Sequence, residues 1–167
     1  DQFLVSDTQA VCQRKLALPH DKKFVVYTGH LYAWKGVDAL ALAIQWLPGN
    51  TEILFVGGTK KDVAEFSAFV EKELPEFKDR LKILGYKRHE EIPHFLCAAD
   101  VIVVPTSAKE SIGSHETSPL KLFEGMAARR PLVVSDTPSA REVVSDNEVI
   151  FFRPDDAKDL ALAISQL

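Results

Sequence analysis

The chain of 167 residues has little cysteine, no surplus of positive charge and no long apolar run. With only Cys12 and Cys97, a disulfide framework is excluded and a reducing compartment is favoured. The formal net charge of −4 argues against a nucleic-acid partner, because phosphate backbones attract a surplus of Lys and Arg. No apolar segment reaches the length of a membrane span, and no signal peptide opens the sequence.

Metal-binding spacing is also absent. Neither cysteine has a second Cys or a His at the separation of a zinc site, and His89 and His94 have no such partners either. No Asp-x-Asp triplet is present, and the adjacent Asp155 and Asp156 are expected to cap the last helix. We therefore expect no bound metal.

The composition and length of the chain are typical of a single globular domain. Hydrophobic residues make up 46% and charged residues 26% of the chain, and 167 residues suffice for a single sizeable core. The sequence opens at Asp1 without an initiator methionine, which suggests a piece of a longer protein. Residues 1–23 are predicted to be a lead-in, with a short helix at 8–16, and residues 24–167 to be the domain.

Short apolar runs alternate with helical patterns along this domain. Strands are predicted at 24–28, 51–56, 80–84, 101–104, 131–135 and 149–152, with the longer helices at 37–46, 62–74 and 157–167. This alternation predicts an α/β fold: a single Rossmann-like, doubly wound parallel sheet with helices on both faces. Ligands of such sheets bind beyond the carboxyl ends of the strands. The unusual residues of this sequence follow predicted strands: Gly29, Lys35, Gly57, Gly58, Gly85, Tyr86 and Glu116.

A helix start with anion-binding character lies at residues 118–121. Ser118 is a favoured N-cap residue, and Pro119 is favoured at the first helical position. The amides of Leu120 and Lys121 would belong to a first turn whose donors have no acceptor inside the helix. Together with the helix dipole, they predict a phosphate site.

Two carboxylates flank this helix start. Glu124 lies inside the helix and can reach back toward its beginning, because helical side chains tilt toward the N-terminus. A continuous helix would separate Glu116 from Glu124 by about 12 Å, so the break at residues 118–119 is needed to turn Glu116 inward. A capped surface helix without a binding role is the alternative interpretation of these local features.

These residues carry a resemblance. Glu116 and Glu124, with the segment 118–121 between them and residues 126–136 after them, resemble the donor-site signature of retaining glycosyltransferases of family 4, the glycosyl transferases group 1. The family has the GT-B architecture of two Rossmann-like domains, and the similar segment belongs to the C-terminal, nucleotide-sugar-binding one. The resemblance therefore implies that residues 1–23 are a connector from a missing N-terminal, acceptor-binding domain.

The resemblance implies an activity as well. The whole enzyme would be a hexosyltransferase that moves a sugar from a nucleotide-diphosphate sugar, with retention, to an acceptor hydroxyl of a glycan, lipid-linked or polysaccharide precursor. This piece alone would be inactive. Neither a metal nor another cofactor is implied, because lysine and the helix dipole neutralise the phosphates. A cytoplasmic location is implied, including the cytoplasmic face of a membrane where the acceptor is membrane-associated.

The resemblance also assigns roles to residues. Gly29, His30 and Lys35 fall in a segment similar to the family's first phosphate loop, where Lys35 would meet the diphosphate. The family more often has arginine where His30 stands. Lys121 would be a phosphate contact or an exposed lysine. Tyr86 would border the base, with a half-buried structural aromatic as the alternative.

The two glutamates would contact different parts of the nucleotide-sugar donor. Glu124 is similar to the family glutamate that accepts hydrogen bonds from ribose hydroxyls. Glu116 would face the transferred sugar, either positioning it or stabilising positive charge, so that Glu116 and Lys35 are the candidate catalytic residues. The alternative functions are a non-catalytic nucleotide-binding domain of Rossmann-like fold and one half of a nucleotide-sugar epimerase.

Overall fold

Six parallel strands form one sheet at the centre of the molecule. The computed structural model describes residues 6–109 and 119–167. The strands are β1 (Lys23–Thr28), β2 (Thr51–Val56), β3 (Leu81–Gly85), β4 (Val101–Val104), β5 (Leu132–Ser135) and β6 (Ile150–Phe152). Their order in the sheet is β3-β2-β1-β4-β5-β6, and every neighbouring pair is parallel. This is the doubly wound, Rossmann-like arrangement that the sequence predicts.

Helices cover the sheet on both sides. They are α1 (Gln9–Lys15), α2 (Val37–Ala43), α3 (Lys60–Glu73), α4 (Ile92–Ala98), α5 (Leu120–Ala127), α6 (Pro138–Arg141) and α7 (Ala157–Ile164). Alternate side chains of a strand point to opposite faces, which divides the core in two. Val25 and Tyr27 of β1 pack in the cluster that includes residues of α2, α3 and α7. Phe24 and Val26 pack with residues of α4, α5 and α6.

Several element boundaries differ from the sequence prediction by a few residues. The helix predicted at 37–46 is α-helical only to Ala43 and ends in a 3-10 turn, Ile44–Trp46. Helix α7 ends at Ile164 rather than at residue 167. Helix α5 begins at Leu120, so Pro119 is its N-cap and not its first helical residue. Caps, more than hydrophobic periodicity, decide such ends.

The lead-in helix α1 is part of this folded unit. Its Cys12 is fully buried, and its side-chain amides bond the end of α4: Gln9 donates to the carbonyl of Ala99 at 3.0 Å and Gln13 to that of Ala98 at 3.0 Å. Helices α1 and α4 are thereby joined ahead of β4. The short helix predicted at 8–16 is confirmed.

Among the described residues, no helix combines the length and the apolar character needed to cross a membrane.

Candidate functional site

A large cavity lies where the strand order reverses, at the carboxyl ends of the central strands. It has a volume of about 630 Å³ and is lined from the ends of β1 to β5, the loops that follow them, and the start of α5. From β1 the chain continues to β2 and β3 on one side of the sheet, and from β4 it continues to β5 and β6 on the other side. Doubly wound sheets bind their ligands at such a reversal of strand order. Of the predicted site residues, those in its lining are Gly29, His30, Lys35, Tyr86, Pro119 and Lys121.

The loop after β1 begins with Gly29 for a reason internal to the fold. Its φ of +146° is rarely adopted by other residues, and a Cβ there would lie 2.9 Å from the hydroxyl of Tyr27. That hydroxyl donates to the carbonyl of His30 at 2.6 Å. Gly29 thus lets Tyr27 fold over the loop and fix the backbone beside the cavity.

His30 is held at the rim by an acidic partner. Its Nδ1 lies 3.1 Å from Oδ2 of Asp62, which caps α3 in a reciprocal arrangement with Thr59. Hydrogen bonds from Thr59, joined by one from His30, lower the pKa of the Asp62 carboxyl to about 2 although its burial acts in the opposite direction. His30 therefore faces a carboxylate that is ionised at neutral pH.

An aromatic row leads from His30 to Lys35. The ring of His30 stacks on Tyr32 at 5.0 Å, and Tyr32 stacks on Trp34 at 6.0 Å. The ammonium of Lys35 rests 3.9 Å from the centroid of the Trp34 ring. Alternate residues of the loop thus carry the row, which we did not predict although the spacing of the three rings was visible in the sequence.

Lys35 and Lys121 bring two positive charges to the same cavity. Partial burial lowers the pKa of Lys35, and the positive charge of Lys121 lowers it further. Lys35 ends the 3-10 turn Ala33–Lys35 after β1, whereas Lys121 lies in the first turn of α5. Two ammonium groups that disfavour each other make a site at which an anion relieves the repulsion.

Gly36 allows the turn that carries Lys35 to lie close to the loop after the neighbouring strand β4. A Cβ on Gly36 would lie closer to the carbonyl oxygen of Pro105 than any real contact, and its φ is +73°. The turn that carries Lys35 can therefore press against the loop following β4. The lysine is placed at the junction of β1 and β4.

Glu124 points back along α5, as predicted. Its side chain is buried, with 5% of its surface exposed, and its Oε2 accepts a hydrogen bond from Nζ of Lys121 at 2.7 Å. The carboxylate is thus directed toward the start of the helix, one turn before its own position. Glu124 lies behind Lys121 rather than in the cavity lining, and Leu120 lies outside the lining as well, with its side chain exposed.

Tyr86 stands at the other rim of the cavity. It follows Gly85 at the end of β3, lines the cavity, and has 77% of its surface exposed. A half-buried structural aromatic, the alternative interpretation of this residue, is wrong. Its ring is accessible to a planar ligand.

Ser135 is a site residue that the sequence analysis missed. It ends β5, lines the cavity and is almost completely buried. Its hydroxyl has no hydrogen-bond partner within the described part of the chain. A buried hydroxyl without a partner is costly, so a ligand or a water molecule in the cavity is its natural partner. As the polar end of an apolar strand, it gave no signal of its own in the sequence.

Glu116 and Ser118, together with Ser114 and His115 of the same predicted loop, lie outside the described residues. The prediction that Glu116 turns inward beside Glu124 therefore stays a prediction. The described part of the site already supplies two ammonium groups, a helix start, a buried hydroxyl and an accessible aromatic ring. Such a set suits an extended ligand with an anionic middle and a planar end.

Comparison with known proteins identifies the family of the chain. A sequence profile of the family described as Glycosyl transferases group 1 matches residues 9–167. The chain belongs to this family. It is a glycosyltransferase domain, and the resemblance found in the sequence is confirmed. The match begins at residue 9, the first residue of α1, so it includes the lead-in helix.

Two relatives of this glycosyltransferase domain illustrate the range of the family. TuaC of Bacillus subtilis, described as a teichuronic acid biosynthesis glycosyltransferase, is 25% identical over 96% of this chain and 36% of its own length. The alpha-D-kanosaminyltransferase of Streptomyces kanamyceticus is 27% identical over 100% of this chain and 42% of its own length. The chain thus spans about two fifths of these relatives.

The fold is shared with solved GT-B structures. The structure of Anabaena HepE in complex with UDP and glucose superposes with a TM-score of 0.82 at 20% identity, covering 99% of this chain and 44% of HepE. At this identity the similarity establishes the fold of the glycosyltransferase domain.

Proposed function

We propose that the domain binds the nucleotide-diphosphate sugar of a glycosyltransferase in the cavity at the β1–β4 junction. The observation that carries this proposal is the convergence of Lys35 and Lys121, from two separate elements, on one cavity. Repulsion between them is relieved by an anion with more than one negative charge, such as a diphosphate. The UDP bound by HepE, which shares the fold, is a ligand of this kind.

The donor would lie across the cavity in a fixed order. The diphosphate would sit between Lys35, Lys121 and the start of α5, where helix donors and dipole favour anions. The base would stack near Tyr86, on the β3 side. Glu124, which faces the same helix start, would accept hydrogen bonds from ribose hydroxyls once the donor engages Lys121. The sugar would project toward the segment that contains Glu116.

The proposed reaction is transfer of a hexosyl group with retention at the anomeric carbon. As the bond to the diphosphate breaks, negative charge grows on the departing group, and Lys35 would stabilise it more strongly than in the ground state. Glu116 would position the sugar or stabilise its positive charge. Ser135 would add a hydrogen bond to the donor, which gives its buried hydroxyl a partner.

The acceptor would come from another part of the enzyme. The chain spans 36% and 42% of the two relatives described above, and the activity named for those relatives belongs to their whole length. We therefore expect this domain alone to bind donor without transferring sugar, and the acceptor to be a glycan, lipid-linked or polysaccharide precursor.

Titration calorimetry with the diphosphates of uridine, guanosine and adenosine, and with their sugars, tests the proposal. Lys35→Ala should weaken diphosphate binding by about 1.5–3 kcal/mol, the range for a hydrogen bond to a charged group. Its free energy of unfolding should change little, because within the described residues the ammonium rests on the face of Trp34 and forms no ion pair. Lys61→Ala is the matched control, since Lys61 is 82% exposed on the outside of α3.

Equal affinities of Lys35→Ala, Lys61→Ala and the unaltered domain would remove Lys35 from the site. Binding of none of the nucleotides by a folded domain would overturn the proposal itself. Preference for one base over the others would identify the donor nucleotide.

A further inference from the structure

A second group of chemically active side chains lies between α1 and α4, on residues that do not line the donor cavity. Cys12 lies within α1, and Asp7 just precedes that helix; His94 and Cys97 lie one turn apart on α4. More than 80 residues separate the two pairs in the sequence, which is why spacing gave no sign of them. Packing of α1 on α4 brings them together.

Three of these four side chains have donor atoms close enough to share one ion. One ligand atom each from Asp7, Cys12 and His94 lies within 4.8 Å of the other two. The thiol of Cys97 shares a buried cluster with Cys12 and donates to the backbone carbonyl of Asp7 at 3.5 Å. Both thiols are free rather than joined in a disulfide.

A second, independent observation concerns the imidazole. Nδ1 of His94 is buried and has no hydrogen-bond partner within the described residues. Buried polar atoms nearly always have partners, and an exception commonly indicates a ligand or ion that completes the site. An imidazole nitrogen without a proton is a ready ligand for a metal.

We propose that Asp7, Cys12, His94 and Cys97 form a zinc site that fastens the lead-in helix to the domain. Two sulfurs, one imidazole nitrogen and one carboxylate oxygen are ligands that Zn²⁺ takes in tetrahedral structural sites. Thiolates and imidazole favour this ion over Mg²⁺ or Ca²⁺, which prefer sets of oxygen ligands.

The surroundings are suited to a structural ion. Cys12 is fully buried and Cys97 nearly so, and burial raises the pKa of the Cys12 thiol to about 12, with its contact to Cys97 adding to the effect. Because Zn²⁺ binds the thiolate form of cysteine, each thiol would release its proton to solvent as its sulfur binds the ion. A cleft of about 310 Å³, lined in part by Asp7 and Cys97, gives access from solvent.

Positive charges oppose the site, since Arg129 and Arg130 line the same cleft as Asp7 and Cys97. Nζ of Lys15 lies 2.5 Å from Oδ2 of Asp7. This lysine has 53% of its side chain exposed, so it can turn into solvent when the carboxylate takes up a metal. The ion would then replace the exposed ion pair of Lys15 and Asp7 with a link between α1 and α4. The ligands that it joins are far apart in the sequence.

Reduced, metal-free domain should be titrated with Co²⁺ and Zn²⁺ in a non-chelating buffer with a phosphine reductant. We expect Co²⁺ to give a thiolate-to-cobalt charge-transfer band in the near ultraviolet, and stoichiometric Zn²⁺ to abolish it. Zn²⁺ should also raise the Tm of the domain, because an ion that binds only the folded state stabilises it. Mg²⁺ should do neither.

Three variants and one control locate the ligands. His94→Gln and Cys97→Ser should each weaken Zn²⁺ binding by more than about tenfold, the lower limit seen when even an outer partner of a metal site is lost. Asp7→Asn is the variant least able to disturb folding, since Asp7 is partly exposed, and it should reduce the Tm gain. His20→Gln changes an exposed histidine and should behave like the unaltered domain.

The proposal is overturned if folded, reduced protein gives no charge-transfer band, or if Zn²⁺ leaves the Tm unchanged. It is also overturned if His94→Gln and Cys97→Ser, shown by circular dichroism to be folded, bind Zn²⁺ as tightly as His20→Gln. Formation of a disulfide between Cys12 and Cys97 in the presence of Zn²⁺ and reductant would likewise contradict it.

Discussion

The two ends of the parallel sheet treat their polar groups in opposite ways. At the amino end, groups are paired across the strands. Asp100, just before β4, accepts from the backbone amide of Phe24 at 2.8 Å and from Nζ of Lys23 at 3.1 Å. Arg130, just before β5, donates to the carbonyl of Ala99 at 2.7 Å. These bonds tie β1 to β4 and β4 to β5.

At the carboxyl end, His30 and Lys121 are paired with Asp62 and Glu124, but two other polar groups lack such partners among the described residues. Lys35 has the face of Trp34 for a contact and the repulsion of Lys121 nearby. The hydroxyl of Ser135 is buried and has no hydrogen-bond partner in the described structure. These arrangements cost stability.

The difference shows that one sheet separates its two tasks by strand direction. The amino end contributes to folding, and the carboxyl end carries the unsatisfied groups that a donor would satisfy. Substitutions at the two ends should therefore affect different measurements.

The largest effect is expected for Arg80, which precedes β3. Its guanidinium donates to the carbonyls of Thr51 and Leu47 at 2.9 and 3.1 Å, and also to that of Pro48. Arg80→Ala should lower the free energy of unfolding by about 3 kcal/mol, because it removes charge-assisted bonds from carbonyls at the start of β2. Urea denaturation measures this loss, and nucleotide affinity of the folded fraction should be unchanged.

Arg88→Ala is the matched control for this prediction. Arg88 is 73% exposed and pairs only with surface glutamates, so its loss should cost under about 0.5 kcal/mol. Comparable destabilisation by both substitutions would show that the amino end has no special share in stability.

A substitution of Glu124 tests the role of the carboxyl end of the sheet in ligand binding. Glu124→Gln should weaken binding of a nucleoside diphosphate by about 1.5 kcal/mol, because a neutral amide is a poorer acceptor for ribose hydroxyls than a carboxylate. Binding of inorganic pyrophosphate, which has no ribose, should not weaken. Calorimetry with the two ligands separates the effects, and an equal loss for both would mean that Glu124 acts only by placing Lys121.

Glu116→Gln extends this comparison. It should leave nucleoside diphosphate affinity nearly unchanged and reduce kcat of the full-length enzyme, since Glu116 is expected to face the sugar. If Glu116→Gln instead loses diphosphate affinity and Glu124→Gln keeps it, the roles of the two glutamates are reversed.

The smallest and most diagnostic effect is expected for Ser135. Ser135→Ala should raise the free energy of unfolding by about 1 kcal/mol, since it removes a buried hydroxyl without a partner. It should also weaken donor binding by about 1 kcal/mol, the worth of one neutral hydrogen bond. In Ser165→Ala, by contrast, a hydroxyl that donates to the carbonyl of Ala161 is lost, so stability should fall slightly. A fall in the stability of Ser135→Ala would contradict the proposed division between the ends.

The sheet was largely predictable because its strands are short apolar runs between helical patterns. The predicted strands at 51–56 and 101–104 agree with β2 and β4 to the residue, since buried parallel strands are apolar throughout. The end of α2 was not predictable to the same degree. Its apolar pattern continues through Trp46, whereas the backbone tightens to a 3-10 turn from Ile44.

The candidate site was predictable where local chemistry marked it. Gly29, Lys35 and Lys121 follow strand ends or begin a helix, and the cavity brings them together. Ser135 and the group around Cys12 were missed for different reasons. The serine reads as the end of an apolar strand, and the cysteine meets His94 only because two distant helices pack together. The inward position of Glu116 stays a prediction, whereas the N-cap role predicted for Ser118 is wrong, because the helix begins one residue later and Pro119 is its N-cap.

The contact between Lys35 and Trp34 gives the site an optical consequence. If a donor binds as proposed, its phosphates would compete with the indole for the ammonium, and loss of the cation–π contact would offset about 0.5–1 kcal/mol of the new interaction. The Trp34 indole would then lose the positive charge of Lys35 from its surroundings. The other tryptophan, Trp46, is half exposed and does not line the donor cavity. Trp34 emission is thus an intrinsic signal of donor arrival that needs no added label.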